Sequence, residues 1–156
     1  MEILWDNYKA VGHGIGARFL DYNLGMTIPE PTLYELIGGE TSLRTLVNRF
    51  YDIIESSPEA AQLRALHPKS LKQSREKFFM FLSGWTGGPQ LYVEKFGHPR
   101  LRMRHAPFSI GTLERNQWVW CMHKTLDESN IDPRVVEYLK VRFAEVADFL
   151  KNRIEL

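Results

Sequence analysis

His105 closes a run in which arginines alternate with apolar side chains: His98-Pro99-Arg100-Leu101-Arg102-Met103-Arg104-His105-Ala106-Pro107-Phe108. A solvated basic loop has no need of Leu101, Met103 and Phe108 spaced between its charges. The mixture suits a segment with one side against something apolar and the other against something anionic. Haem is a ligand of that kind: its macrocycle is flat and apolar, two propionates leave one edge, and its iron takes a neutral imidazole nitrogen. His105 is therefore a candidate axial ligand. By residue type alone, a histidine in such a mixed segment is more often a surface or satisfied core residue than a ligand.

Other residues with chemistry fall on helical stripes. Leu43, Leu46, Val47, Phe50, Tyr51 and Ile54 recur at three- and four-residue intervals, which predicts a helix from about Ser42 to Glu55 with Tyr51 on its buried side. Thr41 or Ser42 can cap it, Gly38-Gly39 supplies a turn before it, and Ser56-Ser57-Pro58 ends it. A short helical run through Ala60 to Leu66 leads to His67-Pro68. The next helix is expected from near Ser70, where Leu71, Ser74, Phe78, Phe81 or Leu82, and Trp85 share a face and Ser74 interrupts a bulky stripe. Thr86-Gly87-Gly88-Pro89 stops it.

A short piece from Leu91 to Phe96 feeds the His105 segment. After Gly111, Thr112 can cap a helix through about Leu126 that sets Trp118, Met122 and Thr125 on one face. Asp132-Pro133 starts a last helix whose Val136, Leu139, Phe143, Val146 and Leu150 form an apolar stripe. No strand pattern interrupts this series. Tyr51, Ser74 and Lys77 each have a plain structural explanation beside a functional one: a core aromatic, a hydroxyl bonded back to its helix, a solvated cation.

The longer motif, HPRLRMRHAPF followed by Glu114-Arg115 and by Trp118, Cys121, Met122 and His123, resembles the truncated haemoglobins of group II. The resemblance covers residues 32–156 and includes the pairs Gly38-Gly39 and Gly87-Gly88. It implies an all-α fold, a truncated globin in which a two-over-two helical sandwich encloses haem b. Residues 32–156 would form that domain and residues 1–31 an N-terminal extension.

Position by position, the resemblance makes His105 the proximal iron ligand. Tyr51, Trp118 and His67 become hydrogen-bond donors to a ligand on the distal side, with Ser74 and Phe78 as distal wall. Arg104, Arg100, Lys77, His98 and Tyr92 fall around the propionate edge, Arg104 first because a guanidinium pairs with a carboxylate through two hydrogen bonds. Leu101, Phe108, Phe81 and Trp85 would pack on the macrocycle. His67 also raises the question of an internal iron ligand; the expectation is that it stays a donor and leaves the sixth site open.

Composition sets the outer bounds. The chain has 156 residues, 44% hydrophobic and 25% charged, with a net charge of +1. One domain of ordinary globular balance fits these values. A single cysteine, Cys121, excludes an internal disulfide and reads as an inert core thiol. No secretory leader and no window of roughly 20 apolar residues is visible, so the expectation is a cytoplasmic protein with no membrane partner. In the first 31 residues, Gly12-His13-Gly14-Ile15-Gly16 follows no apolar strand, so a nucleotide loop is a weak reading and His13 is a loop residue.

The function implied is reversible binding of dioxygen and other diatomic ligands, nitric oxide and carbon monoxide, at haem iron. Redox chemistry is the family-level extension: nitric oxide oxidation to nitrate, or peroxidase-like activation. Either requires an external reductase, since the chain carries no flavin or nicotinamide domain. Strong donors that slow ligand escape argue against bulk oxygen transport. The alternative is a haem-based ligand sensor acting through a partner protein. A nucleic-acid module using Arg100, Arg102 and Arg104 is disfavoured by the interleaved apolar residues and the near-neutral charge. A monomer or homodimer is expected.

Overall fold

Thr32 opens the first helix with a reciprocal cap. Its hydroxyl accepts the Glu35 N–H at 3.2 Å while the Glu35 carboxylate accepts the Thr32 N–H at 2.7 Å, so two donors that a helix start leaves bare are both met. The computed structural model describes residues 30–153; the expectations for the Gly12–Gly16 segment, His13 and most of the extension lie outside the described residues. Helix α1, Leu33–Ile37, is absent from the periodicity reading because its five residues are too few to show a period.

Gly38 joins α1 to α2, Gly39–Ser56, with φ at +108°; a Cβ there would lie 2.5 Å from the Ser42 hydroxyl. The helix therefore begins three residues before the expected Ser42, capped by the backbone of Gly38 and not by Thr41 or Ser42. The second glycine pair serves the same short helix. A Cβ on Gly88 would stand 2.5 Å from the ring of Tyr34, and the Tyr34 N–H donates to the carbonyl of Thr86 at 2.8 Å. Both pairs are thus seats for α1.

After a 3-10 turn at Pro58–Ala60 come α3, Ala61–Ala65, and α4, Lys72–Trp85. Leu71 caps α4, two residues later than the start near Ser70 requires. Two short helices follow, α5 at Leu91–Phe96 and α6 at Leu101–His105, then the long α7, Thr112–Asp127, and α8, Pro133–Leu150. Thr112 is the first residue of α7 and not its cap; the Glu114 carboxylate accepts the Gly111 N–H at 2.8 Å instead. Asp132 does cap α8, accepting the Arg134 N–H at 2.8 Å, with Pro133 at the first helical position.

The four long helices form the two-over-two sandwich that the resemblance implies: α2 packs on α4 and α7, and α7 packs on α8. No strand occurs among the described residues. Phe50, Ile53 and Ile54 of α2, Phe79 and Leu82 of α4, Met122 and Leu126 of α7 and Leu139 of α8 are almost wholly excluded from solvent. Burying each such side chain contributes roughly 1.5–3 kcal/mol against the chain entropy. Among the described residues no helix is long and apolar enough to cross a membrane. Cys121 is fully buried, and burial pushes its thiol up to about 11, so the thiolate that would make it a nucleophile is scarce.

Candidate functional site

One side of the sandwich is not filled by protein. A cavity of about 580 Å³ opens between α4, α6, α7 and α8, closed at one end by Tyr51 and His67. That volume lies within the range of ligand sites, roughly 300–1,000 Å³. Its wall from α4 is the expected stripe of Ser74, Phe78, Phe81 and Trp85, displayed because these residues recur at helical spacing. Leu82 and Leu71, grouped with that stripe in the sequence, turn into the protein core. The far half of the α8 stripe, Phe143, Val146 and Leu150, also lines the cavity. Its period signals burial, but period alone cannot say that what it faces is not protein.

His105 ends α6 with its ring in the cavity wall. Its Nδ1 lies 2.7 Å from the carbonyl oxygen of Leu101, one turn earlier. A carbonyl can only accept, so Nδ1 carries the proton and Nε2 keeps its lone pair, the form in which imidazole binds a metal. Such a bond also fixes the ring and raises its basicity as a ligand. The loop after it is latched by Asn152: its Nδ2 donates to the carbonyls of His105 at 3.2 Å and Phe108 at 2.8 Å, and its Oδ1 accepts the Ile110 N–H at 2.9 Å. No sequence signal marked Asn152.

At the other end, Tyr51 is only 6% exposed, held edge-on by Phe50 at 5.2 Å, His67 at 5.8 Å and Phe78 at 6.1 Å between ring centres. Burial raises the pKa of its hydroxyl, an effect the nearby Arg75 partly offsets, so the group stays protonated and can donate. Trp118 packs against Phe50 at 5.3 Å and Phe78 at 6.2 Å, lining the same space. Among the described residues neither the Tyr51 hydroxyl nor the Trp118 indole N–H has a hydrogen-bond partner in the protein.

His67 differs from its expected part as a donor. Its Nδ1 lies 2.8 Å from the carbonyl of Leu63, so the neutral ring spends its N–H on the backbone and leaves Nε2 as a bare acceptor. Burial lowers its pKa, which favours this neutral form. Only the imidazolium could donate from Nε2.

Of the five residues expected at the anionic edge, Lys77, Tyr92 and Arg104 line the cavity, whereas Arg100 and His98 do not. Arg104 is oriented by its own backbone: Nε donates to the carbonyl of Pro99 at 2.9 Å, and the guanidinium lies 5.6 Å from the centre of the Tyr92 ring. The Lys77 ammonium lies 5.7 Å from the Phe96 ring centre. Arg100 instead caps α6 in a left-handed conformation, φ 44°, and its N–H donates to the His98 ring at 3.1 Å. The resemblance carried them into the expected set; the turn at Pro99 takes them out of the wall. Leu101 and Phe108 line the cavity as expected, with Met103 of the same apolar series, and Pro107 and Ile110 join them unanticipated.

A family described as bacterial-like globin matches residues 32–152. The chain is 36% identical over 122 residues to group 2 truncated hemoglobin YjbI of Bacillus subtilis, covering 78% of this chain and 89% of that one. Among solved structures it resembles the cold-adapted truncated hemoglobin of Pseudoalteromonas haloplanktis TAC125, with a TM-score of 0.78, 46% identity, and coverage of 80% of this chain and 100% of that one. It is similarly close to the group II 2-on-2 hemoglobin of Agrobacterium tumefaciens: TM-score 0.79, 40% identity, 83% of this chain and 100% of that one. The cavity suits haem b in its donor set: an imidazole nitrogen in an apolar wall, the cations Lys77 and Arg104, and the Tyr51 and Trp118 donors, which bond no other group among the described residues.

Proposed function

This chain belongs to the bacterial-like globins, as a group II truncated haemoglobin with haem b as its cofactor, and from that premise we propose that it binds dioxygen, nitric oxide and carbon monoxide reversibly and holds dioxygen tightly. Residues 32–156 would be the globin unit and residues 1–31 an extension of it. Bound haem supplies an iron that takes up a diatomic molecule and can pass one electron to it.

The observation that supports the proposal is that one cavity is lined by His105 and by two side-chain donors, Tyr51 and Trp118. His105 offers Nε2 to the metal from one wall. Tyr51 and Trp118 offer an O–H and an N–H that nothing else among the described residues satisfies. Donors fixed before the ligand arrives cost no reorganisation, and in a water-poor cavity each interaction with a polarised ligand is strengthened. Phe78 and Phe81 exclude water, and Lys77 and Arg104 meet the propionates. His67 accepts while neutral, so the retaining donors are Tyr51 and Trp118.

Nitric oxide consumption is the redox reaction this retention favours: dioxygen, nitric oxide and one electron give nitrate. The electron must be returned by a separate reductase. The deciding experiment is an absorption spectrum of the purified chain, ferric, reduced and exposed to carbon monoxide, repeated with His105→Gly. A Soret band that moves with carbon monoxide, and a ferrous form altered by the substitution, support the reading. No stoichiometric Soret complex in excess haem overturns it.

A further inference from the structure

Gln117 precedes Trp118 on α7 and is 9% exposed, yet it is absent from the cavity wall. A buried amide must be satisfied, and its partners lie far away in sequence. Its Oε1 accepts the N–H of Leu63 at 2.8 Å, and its Nε2 donates to Oε1 of Gln62 at 2.6 Å. Both partners belong to α3, a helix whose start has no side-chain cap of its own. Leu63 is the third residue of that helix, where backbone N–H groups lack partners within the helix. The assignment of the amide atoms follows from chemistry, since a backbone N–H can only meet the oxygen. Gln117 therefore caps α3 from another helix.

The other side of the same residue reaches the cavity. The Leu63 carbonyl accepts His67 Nδ1–H at 2.8 Å and the Leu66 N–H at 3.2 Å, so its two lone pairs are both engaged. We propose that Gln117 is a positioning residue for His67: by capping α3 it fixes the Leu63 carbonyl that holds the imidazole, and so keeps the bare Nε2 presented to the cavity at a set place relative to Trp118. The inference rests on the cavity's holding haem with His67 on the ligand side. It adds a coupling that neither the cavity wall nor the motif contains: the residue beside the Trp118 donor controls which nitrogen of His67 faces the ligand.

The test uses the full chain with haem, reduced and bound to carbon monoxide. Gln117→Met keeps length and bulk but loses both bonds; Gln117→Glu keeps an acceptor for the Leu63 N–H. Two readouts are taken: the carbon monoxide stretching band, which responds to charge and hydrogen bonds beside the bound molecule, and the nitrogen chemical shifts of isotopically labelled His67, which tell which ring nitrogen is protonated. We expect a single Nδ1-protonated form in the wild type. Gln117→Met should give mixed tautomers and a band moved toward that of His67→Leu, and Gln117→Glu should restore the wild-type pattern. Gln62→Ala, which removes only the outer bond from an exposed site, should move both readouts less in the same direction. In a His67→Leu background Gln117→Met should leave the band still.

If Gln117→Met lowers the melting temperature while His67 keeps its single tautomer and the band stays put, Gln117 merely stabilises the core and the inference falls. If His67→Leu itself leaves the band unmoved, the reading of His67 as a pocket residue fails, while the tautomer measurement still decides whether Gln117 holds it.

Discussion

Removing one oxygen atom from Tyr51 separates function from stability. In Tyr51→Phe the ring is held by Phe50, His67 and Phe78 at centroid distances of 5.2, 5.8 and 6.1 Å, none of which involves the hydroxyl. The substitution therefore deletes the O–H and leaves the packing. In the haem-free chain that hydroxyl bonds no protein group among the described residues and looks into the cavity, where water can meet it, so deleting it leaves no buried group unpaired. The apo variant should accordingly unfold at nearly the same denaturant concentration as wild type, within about 1 kcal/mol. In the ligated holoprotein the same hydroxyl donates to a ligand carrying negative charge, an interaction of about 1.5–3 kcal/mol, so its loss should speed dioxygen release by about 10- to 150-fold. Stopped-flow displacement of dioxygen by carbon monoxide measures the release, and a denaturant titration of the apo chain measures the stability. Unchanged release combined with a less stable apo chain would refute the reasoning, because the hydroxyl would then be a structural group.

Arg100 holds φ at 44°, a region costing a side-chain-bearing residue roughly 1–2 kcal/mol. Arg100→Gly should therefore stabilise the chain by up to about 1 kcal/mol after the added freedom of the unfolded state is subtracted, and a lower denaturation midpoint would contradict this. Burial holds the folded pKa of His67 below the ordinary histidine value of about 6.5, so the unfolded chain binds more protons in that window; apo stability should fall as pH drops below about 6.5 and level off beneath the folded pKa. His67→Gln should remove that part of the slope, as acid titrations followed by circular dichroism would record. Cys121, with its thiol raised to about 11 and no exposed surface, should react with a thiol reagent only through unfolding; rapid labelling of the native chain would count against its placement.

The helices that carry most of the fold announce themselves because their buried faces are long enough to show a period, as in α2 and α8. Helix α1 is too short for that, although its Thr32-Leu33-Tyr34-Glu35 start carries a reciprocal capping pattern that could have revealed it. That His105, Tyr51 and Trp118 line one cavity was legible through the resemblance. What was not legible depends on contacts across long sequence separations. The Leu63 N–H meets Gln117, and the His105 carbonyl meets Asn152; no periodicity encodes either pair. The role of His67 turned on which ring nitrogen faces a carbonyl, a matter of orientation that residue type leaves open. Phe143 and Leu150 look in sequence like core, because a stripe facing a cofactor cavity has the same composition as one facing protein.

The Asn152 latch bears on the order in which the cavity comes into being. A chain emerges from the ribosome amino-terminus first, and the segments that have emerged begin to fold before the rest exists. Tyr51, the α4 wall and even His105 are outside the ribosome well before Asn152 arrives to hold the carbonyls of His105 and Phe108. The His105 side of the cavity is thus among the last parts to be secured, and a nascent chain would present an open cleft before then. Chains arrested with Asn152 still inside the exit tunnel should exchange haem rapidly, and those released past it should hold haem firmly; equal retention by the two would show that the latch plays no part in capture.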